Sequence, residues 1–61
     1  MRPFTFYLHE RRHPEPHFDF VRCADEVEAK QHAMMLLERF PEYEAVEIFD
    51  GGALRNRIAR S

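Results

Sequence analysis

The stretch DEVEAKQHAMMLLERF, residues 25–40, is the one long periodic segment of the chain and reads as an amphipathic helix. Asp25 suits the N-cap, and Glu28, three residues later, completes a capping-box pattern in which each side chain satisfies a free amide of the first turn. Asp25, Glu26 and Glu28 place negative charge at the positive end of the helix dipole, and Arg39 suits the other end. Pro41 stops the helix, because it has no amide to donate. At about 100° per residue, Ala29, Ala33, Leu36, Leu37 and Phe40 form one stripe, which Val27 and Met34 widen. Glu28, Gln31, His32, Glu38 and Arg39 fall opposite or at its edge. Alanines on the buried stripe let a helix approach a sheet closely. The segment is expected to cover a sheet.

The flanking segments supply that sheet. Phe4 to His9 alternates, with Phe4, Phe6 and Leu8 on one face and Thr5, Tyr7 and His9 on the other, the pattern of a half-buried strand. Residues 10–16, ERRHPEP, form a polar loop broken by two prolines. His17 to Arg22 alternates again and is expected to bury Phe18 and Phe20. Closing this hairpin with His9 opposite His17 sets Leu8 against Phe18, Phe6 against Phe20, Tyr7 against Asp19 and Thr5 against Val21. Beyond the helix, Ala45 to Phe49 reads as a third strand with Val46 and Ile48 inward. Asp50-Gly51-Gly52 signals a turn, and Ala53 to Ala59 reads as a fourth strand. A three-residue loop with a left-handed glycine pairs Ile48 with Leu54 and Glu47 with Arg55, burying Leu54 and Ile58. Arg60 and Ser61 read as a frayed end.

The expected fold is therefore α+β, a single ββαββ domain over residues 1–61 with one helix on a four-stranded, mainly antiparallel sheet. A right-handed crossover favours strand order 2-1-3-4, with 1-2-3-4 the alternative and the direction of the central pair open. FTFYL at residues 4–8, CADEVEA at 23–29 and AVEIFDGGALRNRIAR at 45–60 look similar to a group of short, uncharacterised proteobacterial ββαββ proteins of about this length. The resemblance spans nearly the whole chain. Its most specific parts are Cys23-Ala24-Asp25 and Phe49-Asp50-Gly51, and Gly52 lengthens the turn relative to the pattern. It implies the fold and no activity, so no catalytic residue follows from it.

Composition narrows the function. A chain of 61 residues lies near the lower limit for folding alone, which makes a homodimer or a bound partner an expectation. The net charge of −2 argues against binding nucleic acid by bulk charge. A lone cysteine, Cys23, excludes an internal disulfide framework and favours a reducing, cytoplasmic setting. It reads as a small packed residue at the corner between strand and helix. The N-terminal residues show no long apolar run, so neither a signal peptide nor a membrane span is expected. No nucleophile–base pair, phosphate loop or paired carboxylates stand out, and the expectation is a non-enzymatic protein without a cofactor.

One helix covers one side of such a sheet. The other side is expected to carry Thr5, Tyr7, His9, Asp19, Val21, Ala45, Glu47, Phe49, Arg55 and Arg57. Tyr7, Val21, Ala45 and Phe49 make it too apolar for plain solvent, which points to a contact with a second copy or another protein. The alternative is single-stranded nucleic acid, with Tyr7 and Phe49 stacking bases and Arg55 and Arg57 holding phosphates. Against it stand the acidic balance and the presence of Asp19 and Glu47 on the same face. A third reading is a metal held by His9, His13 and His17, with His9 and His17 opposite each other in the hairpin.

Overall fold

The computed structural model describes residues 1–60; Ser61, expected to be frayed, lies outside them. The elements are β1 (Arg2–Glu10), β2 (His17–Cys23), α1 (Glu26–Arg39), β3 (Tyr43–Asp50) and β4 (Ala53–Ala59). The sheet has the order β2-β1-β3-β4, and every neighbouring pair is antiparallel. The connectivity explains the central pair: β2 runs down, α1 returns up, and β3 runs down again beside the upward β1.

The helix ends follow the sequence logic. Asp25 Oδ1 accepts from the Glu28 amide at 2.9 Å, and Glu28 Oε1 accepts from the Ala24 amide at 2.9 Å. Ala29, Ala33 and Leu37, spaced by four, are the helix residues that press on the sheet. Phe4, Phe6, Leu8, Val46 and Ile48 meet them from below, and Cys23 closes the corner. Leu36 and Ile58 pack at the edge of this core. Val27 and Met34, about a third of a turn from the Ala29–Leu37 line, are exposed rather than part of the stripe. Phe40 is exposed too, because as the residue before Pro41 it is extended (φ −119°, ψ 92°) and leaves the helical stripe. His32, expected to face solvent, lies edge-on to the Phe6 ring at 5.7 Å between centroids.

The β1–β2 register differs from expectation by one residue. Leu8 faces His17, Tyr7 faces Phe18, Phe6 faces Asp19, Thr5 faces Phe20 and Phe4 faces Val21. Because side chains alternate, the slip exchanges the two faces of β2. Phe18 and Phe20 lie on the uncovered side, 62% and 66% exposed, while Val21 and Cys23 turn to the helix. The cause is the corner itself. Cys23 must point inward where β2 enters α1, and Val21 and Asp19 then share its face.

The β3–β4 hairpin also closes differently. Gly51 (φ 61°) and Gly52 (φ 86°) form a two-residue turn, and positive φ at both is the type I′ geometry that matches strand twist. Asp50 then faces Ala53, and Phe49 faces Leu54. A bulge follows, so that Ile48 faces Asn56, Glu47 faces Arg57 and Val46 faces Ile58. Arg55 is the extra residue of the bulge, and Leu54, expected in the core, is 52% exposed beside Phe49.

Arg60 is tied down, contrary to the expectation of a frayed end. Its amide donates to Glu44 O at 2.8 Å, and its guanidinium donates to Tyr43 O at 3.0 Å, Phe40 O at 3.2 Å and Leu37 O. Leu37 and Phe40 hold carbonyls of the helix C-terminus, so Arg60 caps the negative end of the dipole. Replacing Arg60 with alanine is expected to lower unfolding stability by about 1–2 kcal/mol, given the charge-assisted bonds lost and their partial exposure to solvent. Urea titration followed by circular dichroism checks it.

Candidate functional site

Among the described residues, no element covers the face of the sheet opposite α1. Parity places on it Thr5, Tyr7 and His9 from β1, Phe18 and Phe20 from β2, and Ala45, Glu47 and Phe49 from β3. Leu54 and Arg57 join them from β4. The rings are continuous. Phe20 and Phe18 lie 5.7 Å apart, Phe18 and Tyr7 6.2 Å, and Tyr7 and Phe49 5.2 Å, the first and last as edge-to-face pairs. An aromatic band therefore crosses from the free edge of β2 to β3, and Leu54 extends it to β4.

Charge gathers at one end of this band. Glu47 accepts from His9 Nε2 at 2.6 Å, and its other oxygen lies 3.9 Å from Arg57 Nε. The carboxylate is thus matched locally. A shallow concavity of about 390 Å³ opens between β1 and β3, with Thr5, Tyr7, Glu47 and Phe49 around it and Pro16 and Gly52 overlooking it from the adjoining turns.

The residues singled out for protein contact separate. Tyr7 and Phe49 hold the centre of the face. Ala45 lies on it but is covered by its neighbours, and Val21 turns to the core side as the register requires. In their place the face gains Phe18, Phe20 and Leu54. Sequence parity anchored on Cys23 instead of on the phenylalanines would have found the first two.

The nucleic-acid set separates as well. Arg57 stays on the face beside Glu47. Arg55 is swung by the bulge to the helix, where Nε and Nη2 donate to Glu26 Oε2 at 3.0 and 2.8 Å. Asp19, expected on this face, lies on the helix side of the free β2 edge and accepts the Phe20 amide at 2.9 Å. A charge directed inward on an edge strand discourages unwanted pairing there.

The histidines fall into two groups. His9 bonds Glu47 on the uncovered face, whereas His17 lies opposite Leu8 and bonds Glu10 at 2.5 Å. His13 lies 3.8 Å from the same Glu10 carboxylate. Among the described residues, no group of three or more His, Cys, Asp or Glu is placed to hold a metal ion. Cys23 is buried, and desolvation, with Glu28 and Asp25 nearby, raises its thiol pKa above the ordinary value. It stays protonated and is a poor nucleophile at neutral pH.

No described helix is long and apolar enough to cross a membrane. No family model, curated protein or solved structure matches this chain, so what the face can do rests on its own chemistry.

Proposed function

We propose that the protein is a small, non-enzymatic interaction module that self-associates through the uncovered face of its sheet. The aromatic band of Phe20, Phe18, Tyr7 and Phe49 carries this reading. Two of those rings are more than half exposed, and contiguous apolar surface of this kind marks interfaces. A second copy suits the dimensions. The body measures 32 × 20 × 16 Å between Cα extremes, and its broad face is comparable with the ~800 Å² per partner of a standard interface. The rings hold most of the face; Glu47 lies among them beside Tyr7 but is matched by His9, and Arg57 stands toward the β4 margin. The lone reduced cysteine favours the cytoplasm as the setting.

The single-strand reading is weaker on this geometry. Arg55 is engaged by Glu26, Arg57 faces Glu47, and the net charge is −2. Salt-sensitive binding of a labelled oligonucleotide would favour it instead.

Phe49→Glu tests the proposal. Phe49 lies at the centre of the face and outside the core, so the variant is expected to keep its circular dichroism spectrum. Its mass by light scattering is expected to fall from that of two chains to that of one. An unchanged dimer would remove the face from the account.

A further inference from the structure

The uncovered face carries both a projection and a recess. Phe20 stands on the free edge strand β2 at 66% exposure, and the recess of about 390 Å³ lies between β1 and β3. Phe20, Thr5 and Phe49 occupy one row across the sheet, since Thr5 faces Phe20 on one side and Phe49 on the other. The recess is open to solvent, unlike the enclosed cavity of about 150 Å³ that accepts benzene. Its volume is still large enough for one face of a phenyl ring to lie in it.

We propose that two copies pair isologously, the Phe20 ring of each entering the recess of the other against Thr5, Tyr7, Phe49 and the His9-paired Glu47. This rests on the self-association proposed above and specifies its geometry. A two-fold axis lying just to the β2 side of β1, parallel to the strands, carries β2 of one copy over the recess between β1 and β3 of the second, and the reverse. Phe20 keeps its row under that rotation and arrives level with the recess. Both insertions occur together, which is the closure that an isologous contact demands. Strands sit ~4.8 Å apart, so the overlap covers β2, β1 and β3 and leaves β4 at the margin. Arg57 then stays in solvent, while Glu47, which lines the recess, is covered together with its His9 partner rather than bare.

Complementation tests this arrangement. Thr5→Trp fills the recess and leaves Phe20 in place, whereas Phe20→Ala removes the projection and leaves the recess open. Each variant alone is expected to self-associate at least ~100-fold more weakly than the wild type, because both insertions are lost. An equimolar mixture is expected to regain the mass of a pair in light scattering, since one intact ring meets one open recess. Thr5→Phe replaces the tryptophan variant if its circular dichroism shows a disturbed sheet. A mixture that stays monomeric beside a dimeric wild type overturns the ring-in-recess pairing while self-association stands. Either variant dimerising as well as the wild type overturns it equally. A wild type that is itself monomeric removes the underlying proposal.

Discussion

Replacing Phe6 with alanine is expected to leave much of the chain unfolded at room temperature. Phe6 has no exposed surface and lies at the centre of the core with Leu8, Val46 and Ile48. Truncating a buried phenylalanine costs ~3–5 kcal/mol, the transfer term plus the cavity left behind. At ~0.05–0.15 kcal/mol per residue, the whole domain has only ~3–9 kcal/mol to lose, which a loss of that size largely consumes. The neighbours cannot collapse far into the space, because Ala29 and Ala33 already bring the helix backbone close to the sheet. Leu54→Ala is the matched control. Leu54 lies outside the core beside Phe49, and its loss is expected to cost less than ~1 kcal/mol. Urea unfolding of both variants decides it. A Phe6→Ala protein within ~1 kcal/mol of the wild type would contradict the core as described.

The second large effect concerns the face rather than the core. The double variant Phe18→Glu, Phe20→Glu is expected to fold, with stability within ~1 kcal/mol of the wild type, because both positions face solvent in one copy. Its self-association is expected to weaken by at least ~100-fold, since a dimer would bring four unpaired carboxylates into an apolar contact. The experiment also tests strand register. With these two side chains inward, each buried glutamate would cost several kcal/mol and the chain would not fold. A dispersed amide correlation spectrum from a monomer is the predicted outcome. A collapsed spectrum would place the phenylalanines in the core.

Much of the architecture is legible in the sequence. The helix, its Asp25–Glu28 cap, its stop at Pro41 and the order β2-β1-β3-β4 follow from periodicity, capping chemistry and the handedness of crossovers. What sequence reading misses is parity. Burying Phe18 and Phe20 and packing Cys23 at the corner are incompatible in one strand, since residues 18 and 20 face away from residue 23. The corner wins, because the chain must turn into the helix there whereas phenylalanines can sit at an interface. The second miss, at β4, has the same character. The Gly51-Gly52 turn and the need to keep Ile58 inward are reconciled by a bulge, which costs one residue, Arg55, and moves Leu54 to the open face. The sequence carries no separate mark for that bulge.

These two shifts change the site more than the fold. Each moves apolar surface to the uncovered side, Phe18 and Phe20 in the first case and Leu54 in the second. Each also takes charge away from it, Asp19 and Arg55 respectively. The uncovered face is therefore more apolar than alternation alone suggests. Phe40 shows the same limit locally, since helical periodicity includes it in the stripe while Pro41 holds it out.

The mass of the wild-type protein in solution, by light scattering on a sizing column over a range of concentrations, bears most directly on the proposal that the uncovered face pairs two copies. The account predicts a dimer that gives way to monomer only on dilution. A monomer at every concentration would contradict it, and would leave the aromatic band free for a partner of another kind.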